Sequence, residues 1–342
     1  MKPYARLDLI GKGGTSRVYR VMNPQNEVYA LKKVSLDRTD SESIQCYMNE
    51  IALLKRLRGN HRIIHLIDSE VRNVTAGGRG QLFLVMECGE IDLARLIQEQ
   101  IHRPMNMVWV AYYWQQILQA VQVIHDEKIV HSDLKPANFV LVKGQLKLID
   151  FGIANAIAND TTNIQRDQTV GTVNYMSPEA IEMPEGMRRL KVGRPSDVWS
   201  LGCILYQMVY GHPPFQHLNM MQKMKAIPDP SYMIEYPSRA QRVPAPPSSS
   251  PSPETEEKKP KEEEKDLSRP VRKEMIVTMR KCLTRNPKDR VIIPDLLEEE
   301  WLAMKERKPK ESLKLKEDET VINAFYMRQL LQWSRPSVSF KN

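Results

Sequence analysis

No stretch of eighteen apolar residues interrupts this sequence of 342 residues, so nothing in it has the pattern of a membrane-spanning helix. The start, MKPYARLDLIGKGG, lacks the basic, apolar, small-residue order of a signal peptide, and we expect a protein on the cytosolic or nuclear side. Cysteine is scarce. Cys46, Cys88, Cys203 and Cys282 stand far apart with no C-x-x-C pair, which argues against a zinc site or a disulfide framework and for free thiols. What remains is a soluble composition, 41% hydrophobic and 27% charged, in a chain long enough for two lobes with separate cores.

The net charge of +8 raises the question of nucleic acid. From Leu302 onward nine Lys or Arg face five Asp or Glu, so half of the excess sits in the last 41 residues. A basic tail over 302–342 suits acidic partners or solubility as readily as DNA, and no nucleic-acid partner is expected. Its stretch INAFYMRQLLQWSR has apolar residues at partly helical spacing, open to docking on the chain itself or on a partner.

The first 90 residues alternate apolar with polar side chains in short runs, YARLDLIG, RVYRVMN and EVYALKKVSL, separated by Gly-rich or Asn-Pro breaks, as a meander does. From Ser41 the period changes. Ile44, Met48, Ile51 and Leu54 recur at three- and four-residue steps, predicting an amphipathic helix that ends near Gly59, with Thr39 and Glu42 in capping-box relation. IIHLIDS and QLFLVMEC return to strand character. Beyond Cys88 the runs NMVWVAYYWQQILQAVQVIH, SDVWSLGCILYQMVYG and EMIVTMRKCL are apolar nearly all round, as core helices are. The expectation is α+β: a small antiparallel β-sheet lobe with one helix, over about 1–87, and a larger helical lobe over about 90–301. Residues 244–265 hold six Pro, four Ser and ten charges but no Val, Ile, Leu, Met or aromatic residue, so a disordered insertion is expected inside the helical lobe, over about 238–268.

The chemistry is carried by spacing. GKGGTSRVY gives G-x-G-x-x-S-x-V, with Gly11, Gly13 and Val18, between two strands; such glycines let backbone N–H groups approach phosphates. Lys32 in YALKK would reach a nucleotide's α- and β-phosphates, and Glu50 on the predicted helix would fix its ammonium group. HSDLKPAN, KLIDFG and SPEA then follow in order. Asp133 would orient a substrate hydroxyl and accept its proton, Lys135 would neutralise charge on the transferred phosphoryl, and Asn138 and Asp150 would hold Mg²⁺ between phosphates. Phosphoryl transfer is catalysed by positioning and electrostatics, and this set is complete.

Together these motifs resemble the eukaryotic protein kinase family over roughly residues 4–301. The resemblance implies a bilobal fold with ATP and Mg²⁺ in the cleft. It implies a phosphate-binding loop of Ile10, Gly11, Lys12, Gly13 and Gly14 capped by Val18, an adenine pocket roofed by Ala30 with Met86 as gatekeeper, a hinge of Glu87, Cys88 and Gly89, and Asp92 just beyond. It also implies a Glu179–Arg290 pair and an Asp197 that braces the catalytic loop, while Lys135 points to serine/threonine specificity. GKGGTSRVY, MECGEIDL, HSDLKPANF, LKLIDFGIAN, DTT and VGTVNYMSPEAI are similar more narrowly to the monopolar spindle kinases, dual-specificity checkpoint kinases acting at kinetochores. That implies kinetochore scaffold proteins as substrates, a nuclear, kinetochore, spindle or cytoplasmic location, and self-activation by phosphorylation of Thr161, Thr162 or Thr172.

One position departs from the general pattern: Ser132 stands where many kinases carry an arginine that binds an activation-loop phosphate, a contact worth about 1.5 to 3 kcal/mol. No transferring residue is lost with it. A phosphate on Thr161 or Thr162 would then be read by other cations, such as Arg166 or a helix lysine. Thr172 has a second expected role, its hydroxyl bridging Asp133 and Lys135. Cys88 is either an accessible thiol beside the nucleotide or, more often for cysteine, a small buried hydrophobe. The competing readings are a serine/threonine kinase of another pathway, a nucleotide-binding scaffold without activity, which would predict a broken Lys32, Asp133 or Asp150, and a nucleic-acid module.

Overall fold

The computed structural model describes residues 3–36, 41–72, 80–151, 172–181, 192–242 and 266–302. The expected sites Thr161, Thr162 and Arg166, the centre of the insertion (243–265), the cap residue Thr39 and the tail beyond 302 lie outside them.

Five antiparallel strands build the small lobe: β1 (Ala5–Lys12), β2 (Ser16–Met22), β3 (Val28–Ser35), β4 (Leu66–Arg72) and β5 (Gln81–Glu87), in the order β1-β2-β3-β5-β4. Lys32 sits in the middle of this sheet, opposite Val18 on one side and Leu84 on the other. A single helix, α1 (Ser41–Arg56), is followed by Gly59 at φ +90°. Its buried face differs from the one read from the sequence. Glu50, Ile51, Leu53 and Leu54 are buried, but Ile44 and Met48 are exposed at 38% and 44%, because only the C-terminal half of α1 meets the core.

The larger lobe begins with β6 (Ile91–Asp92), α2 (Leu93–Gln100) and α3 (Met107–Asp126), followed by β7 (Phe139–Val142) and β8 (Gln145–Leu148). Helices α4 (Pro178–Ile181), α5 (Arg194–Tyr210), α6 (Met220–Ala226), α7 (Lys273–Cys282) and α8 (Ile293–Leu297) complete it. Helix α5 is buried almost all round, as its sequence predicts. Helices α3 and α7 are more one-sided, with Val108 and Val277 exposed at 57% and 48%. Helix α5 stops at Gly211, whose φ of +91° favours glycine and where a Cβ would meet the Arg242 guanidinium at 2.5 Å; that guanidinium donates to the Met208 and Val209 carbonyls at the helix end. The ends of the expected insertion are ordered: β9 (Arg239–Ala240) pairs with β10 (Arg269–Pro270), so residues 238–242 and 266–268 are corrected to structured chain.

The lobes are tied where the chain leaves α1. Arg62 C=O accepts from Leu148 N–H at 2.9 Å, and Leu148 C=O accepts from Ile64 N–H at 3.0 Å. The Arg62 side chain, 9% exposed, donates to Gln116 and Gln119 of α3 and Gln145 of β8, satisfying with neutral amides a cation whose pKa burial lowers.

Candidate active site

Three stretches converge between the lobes: the centre of β3, the loop from α3 to β7, and the residues after β8. Phe151 is fully buried in the core, and Asp150 beside it turns to Lys32, whose Nζ donates to Asp150 Oδ1 at 2.5 Å. This corrects one expectation. Among the described residues no ion pair joins Lys32 to Glu50; the lysine's direct partner is Asp150. Glu50 acts through its field. Burial opposes the charge on Lys32, but Asp150 and then Glu50 outweigh it, and the lysine pKa is raised. Burial likewise works against the Asp150 carboxylate, yet Lys32 holds it below the usual range. Glu50, 5% exposed and without its own cation, is pushed up to about 7 by burial in spite of Lys32.

The catalytic loop is held by one buried carboxylate. Asp197, fully buried on α5, accepts from His131 N–H at 2.9 Å and Ser132 N–H at 2.9 Å, and its Oδ2 lies 2.8 Å from His125 Nε2. These bonds fix Ser132 at φ +61°, the left-handed region that a non-glycine side chain rarely takes. His131 carries the next link. Its Nε2 lies 2.6 Å from the Asp150 carbonyl, which can only accept, and its Nδ1 faces the Asp133 N–H at 3.3 Å. The catalytic loop and the segment of Asp150 are thereby one bonded unit. On it Lys135 Nζ donates to Asp133 Oδ2 at 2.8 Å, and the buried Asn138 accepts the Lys135 N–H at 3.0 Å through Oδ1.

Asn138 and Asp150 present hard oxygen donors, the chemistry Mg²⁺ selects. Among the described residues no group of three or more His, Cys, Asp or Glu could hold a metal alone. Two donors fit an ion that takes its other ligands from phosphate and water, so the residues suit a metal–nucleotide better than a bare ion.

The hinge follows Met86, which is buried opposite Ala30. Glu87 donates its N–H to the His65 carbonyl at 3.0 Å, and its Oε1 accepts from His65 N–H at 2.8 Å and Lys147 Nζ at 2.6 Å. Among the described residues Cys88 and Gly89 donate no backbone hydrogen bond, which leaves those groups for a ligand's edge. Gly89 is required by a close approach: a Cβ there would stand 1.8 Å from Val140 Cγ1 and 2.9 Å from the Leu141 carbonyl. Cys88 is half-buried and burial raises its thiol pKa, so it is not an activated thiolate.

Not every expected ligand residue points one way. Asp92 Oδ1 caps α2 by accepting Arg95 N–H at 2.9 Å. Lys12 stands in register with Arg17 across the β1–β2 hairpin, beside Gly11 opposite Val18, while Gly13 N–H closes the hairpin onto Ser16 at 2.9 Å; Ile10 is 43% exposed, and Gly14 has open space around it. Thr172 begins a tight turn, Thr172–Tyr175, whose backbone alone is described at that residue. Farther out, Arg290 grips Glu179 with two parallel bonds of 2.7 and 3.0 Å, forming the pair expected from the sequence. Sequence reasoning missed His65, Lys147, His125 and the Arg62 amide cluster, none of which carries a local motif.

Comparison with known proteins agrees with this geometry. Residues 4–302 match the protein kinase domain family. The serine/threonine-protein kinase mph1 of Schizosaccharomyces pombe is 50% identical over 303 residues, covering 86% of this chain and 42% of that protein. The serine/threonine-protein kinase MPS1 of Saccharomyces cerevisiae is 41% identical over 308 residues, 87% of this chain and 36% of that protein. The dual specificity protein kinase TTK of Mus musculus is 42% identical over 301 residues, 86% of this chain and 31% of that protein. The chain thus spans less than half the length of these relatives, and among its described residues no helix is long and apolar enough to cross a membrane. With the bonded Lys32–Asp150 pair and the braced Asp133 loop inside the matched region, the chain belongs to the protein kinase family.

Proposed function

We propose that this chain transfers the γ-phosphoryl of Mg·ATP to serine and threonine of protein substrates, and to tyrosine as a second acceptor class. The observation that carries this reading is the Lys32–Asp150 bond of 2.5 Å on a segment tied through His131 to the loop that bears Asp133 and Lys135. Lys32 binds and orients phosphate oxygens, with Glu50 available to it as a second carboxylate. Asp133 orients the acceptor hydroxyl and takes its proton, and Lys135, already 2.8 Å from Asp133, neutralises negative charge on the transferred phosphoryl. Asn138 and Asp150 would hold Mg²⁺, which screens phosphate charge when bound. Ala30, Met86 and the backbone N–H groups of Cys88 and Gly89 seat adenine, and Ile10 to Gly14 with Val18 cover the phosphates.

The similarity to the mph1, MPS1 and TTK kinases supports a finer reading: a mitotic spindle checkpoint kinase that acts on kinetochore scaffold proteins in the nucleus, at kinetochores or on the spindle. It autophosphorylates within its activation segment, at Thr161, Thr162 or Thr172. The kinase domain occupies about 1–301 and the basic tail 302–342. The test is transfer of labelled γ-phosphate to the chain itself and to a threonine-rich protein, with site mapping. Transfer that vanishes in Asp133→Asn, with label on those threonines, is expected; nucleotide binding without any transfer would favour a scaffold.

A further inference from the structure

The outer face of the five-stranded sheet carries a charge pattern that transfer chemistry does not use. Strand pairing sets Lys12 opposite Arg17 and Arg17 opposite Lys33, so three cations stand in one row across β1, β2 and β3. Pleat alternation puts Arg17 and Lys33 on the face away from Val18 and Lys32, and so away from the cleft. Strands lie about 4.8 Å apart, which makes the row roughly 10 Å long. Like charges directly opposite each other destabilise a sheet.

Other cations of this sheet are compensated. Arg20 lies 3.5 Å from Asp8, Arg72 bonds Glu70 at 2.8 Å, and Arg6 covers the Tyr19 ring at 5.2 Å. Among the described residues no hydrogen bond or ion pair reaches the side chains of Lys12, Arg17 or Lys33; Lys33 only leans over the Phe83 ring, 5.8 Å from its centroid. Two residues along β2 and β3, and three along β1 where the register shifts between Leu9 and Gly11, runs an apolar row, Leu9 opposite Tyr19 opposite Leu31, with Leu9 50% exposed.

We propose that this face docks a phosphorylated segment of a partner protein, with the phosphate on Lys12, Arg17 and Lys33 and a neighbouring apolar side chain on the exposed Leu9. Phosphate fits better than carboxylate, because one group with nearly two charges and three acceptor oxygens engages three cations at once, with the Arg17 fork central and flexible lysines either side. Nucleic acid fits less well: the row is about 10 Å long and leads to Phe83, which lies beneath Lys33 and Arg72 rather than open for base stacking. Membrane binding would call for a broader basic field than three residues. Lys12 also belongs to the loop over the nucleotide phosphates, whereas Arg17 and Lys33 have no part in the transfer reaction, so the test is made on those two.

The experiment saturates the kinase with Mg·ADP, so that the cleft is filled, and titrates it into a fluorescent degenerate peptide pool with a fixed phosphothreonine and a leucine two residues away. The same pool without phosphate, a single-stranded 20-nucleotide DNA and phosphatidylserine vesicles are the other arms. The phosphorylated pool should bind at least tenfold tighter than its unphosphorylated twin, and Arg17→Ala with Lys33→Ala should abolish that advantage. The double variant should melt no lower than the wild type, since like charges are removed; should it melt lower, Arg17→Gln alone carries the comparison. No preference for phosphate, a preference unchanged by these substitutions, or binding confined to DNA or vesicles overturns the proposal.

Discussion

Glu50 offers a test in which stability and activity move in opposite directions. Its carboxyl is 5% exposed, the lysine nearest to it is bonded to Asp150, and burial lifts its pKa from 4.5 to about 7. A folded-state pKa above the unfolded one means that the folded protein holds the proton more tightly. The stabilisation is therefore complete below pH 4.5 and is lost as pH rises through 7. The interval from 4.5 to about 7, at roughly 1.4 kcal/mol per pH unit, amounts to about 3 kcal/mol of strain at pH 8 and under about 1 kcal/mol at pH 5.

Glu50→Gln keeps the shape and removes the charge. At pH 8 the variant should be more stable than the wild type by up to about 3 kcal/mol, a rise of about 5 to 10 °C in melting temperature, and the gain should shrink toward pH 5. Phosphoryl transfer should fall about 10- to 100-fold, because the amide cannot supply the second carboxylate that Lys32 needs once Asp150 is engaged elsewhere. Calorimetric melting from pH 5 to 8, beside single-turnover transfer at pH 8, reads both effects. A variant less stable than wild type at pH 8 would show Glu50 ionised and paired in the resting protein, and the charge argument would fail.

Asp197→Ala should be far costlier, since it leaves the His131 and Ser132 N–H groups and the His125 ring without their acceptor in a buried site. At about 1–3 kcal/mol per buried unpaired donor, the urea midpoint should fall by an amount equivalent to 3 kcal/mol or more, with transfer lost; a fall under 1 kcal/mol would mean that the loop is held by something else. Gly89→Ala forces β7 and the hinge apart, costing about 1–3 kcal/mol of stability and raising KM for ATP more than it lowers kcat. Arg290→Lys keeps the charge but loses the bidentate grip on Glu179, and denaturant titration should find about 2 kcal/mol lost, with KM for ATP little changed.

The α+β class and the single small-lobe helix were legible in the sequence from hydrophobic period, and the proposed reacting residues stand out in it because phosphoryl transfer demands particular residue types at particular spacings. Asp133, Lys135 and Asn138 lie within six positions of one another, and that spacing survives any change of surroundings. The face of α1 was misread for a reason of geometry. Periodicity detects an apolar stripe but not how much of a helix touches the core, so Ile44 and Met48 continue the stripe into solvent. The partner of Lys32 was misjudged for an electrostatic reason. A lysine between two carboxylates can bond either, and sequence order does not say which is nearer.

The bracing residues were hidden for another reason. His65, Lys147 and the three glutamines around Arg62 are common types that acquire a role only when strands far apart in sequence meet, Arg62 and Gln145 being separated by 83 positions. Glu87 shows what that bracing achieves. Its backbone and carboxylate together bond β4's lead-in and β8, and β8 leads in two residues from Leu148 to Asp150. The hinge is thereby connected to the Asp150 segment through a chain of bonds no longer than 3.0 Å and a single strand. Motifs place the reacting groups on the sequence, but the relation between the adenine end and the phosphate end of the cleft is fixed by side chains that belong to no motif.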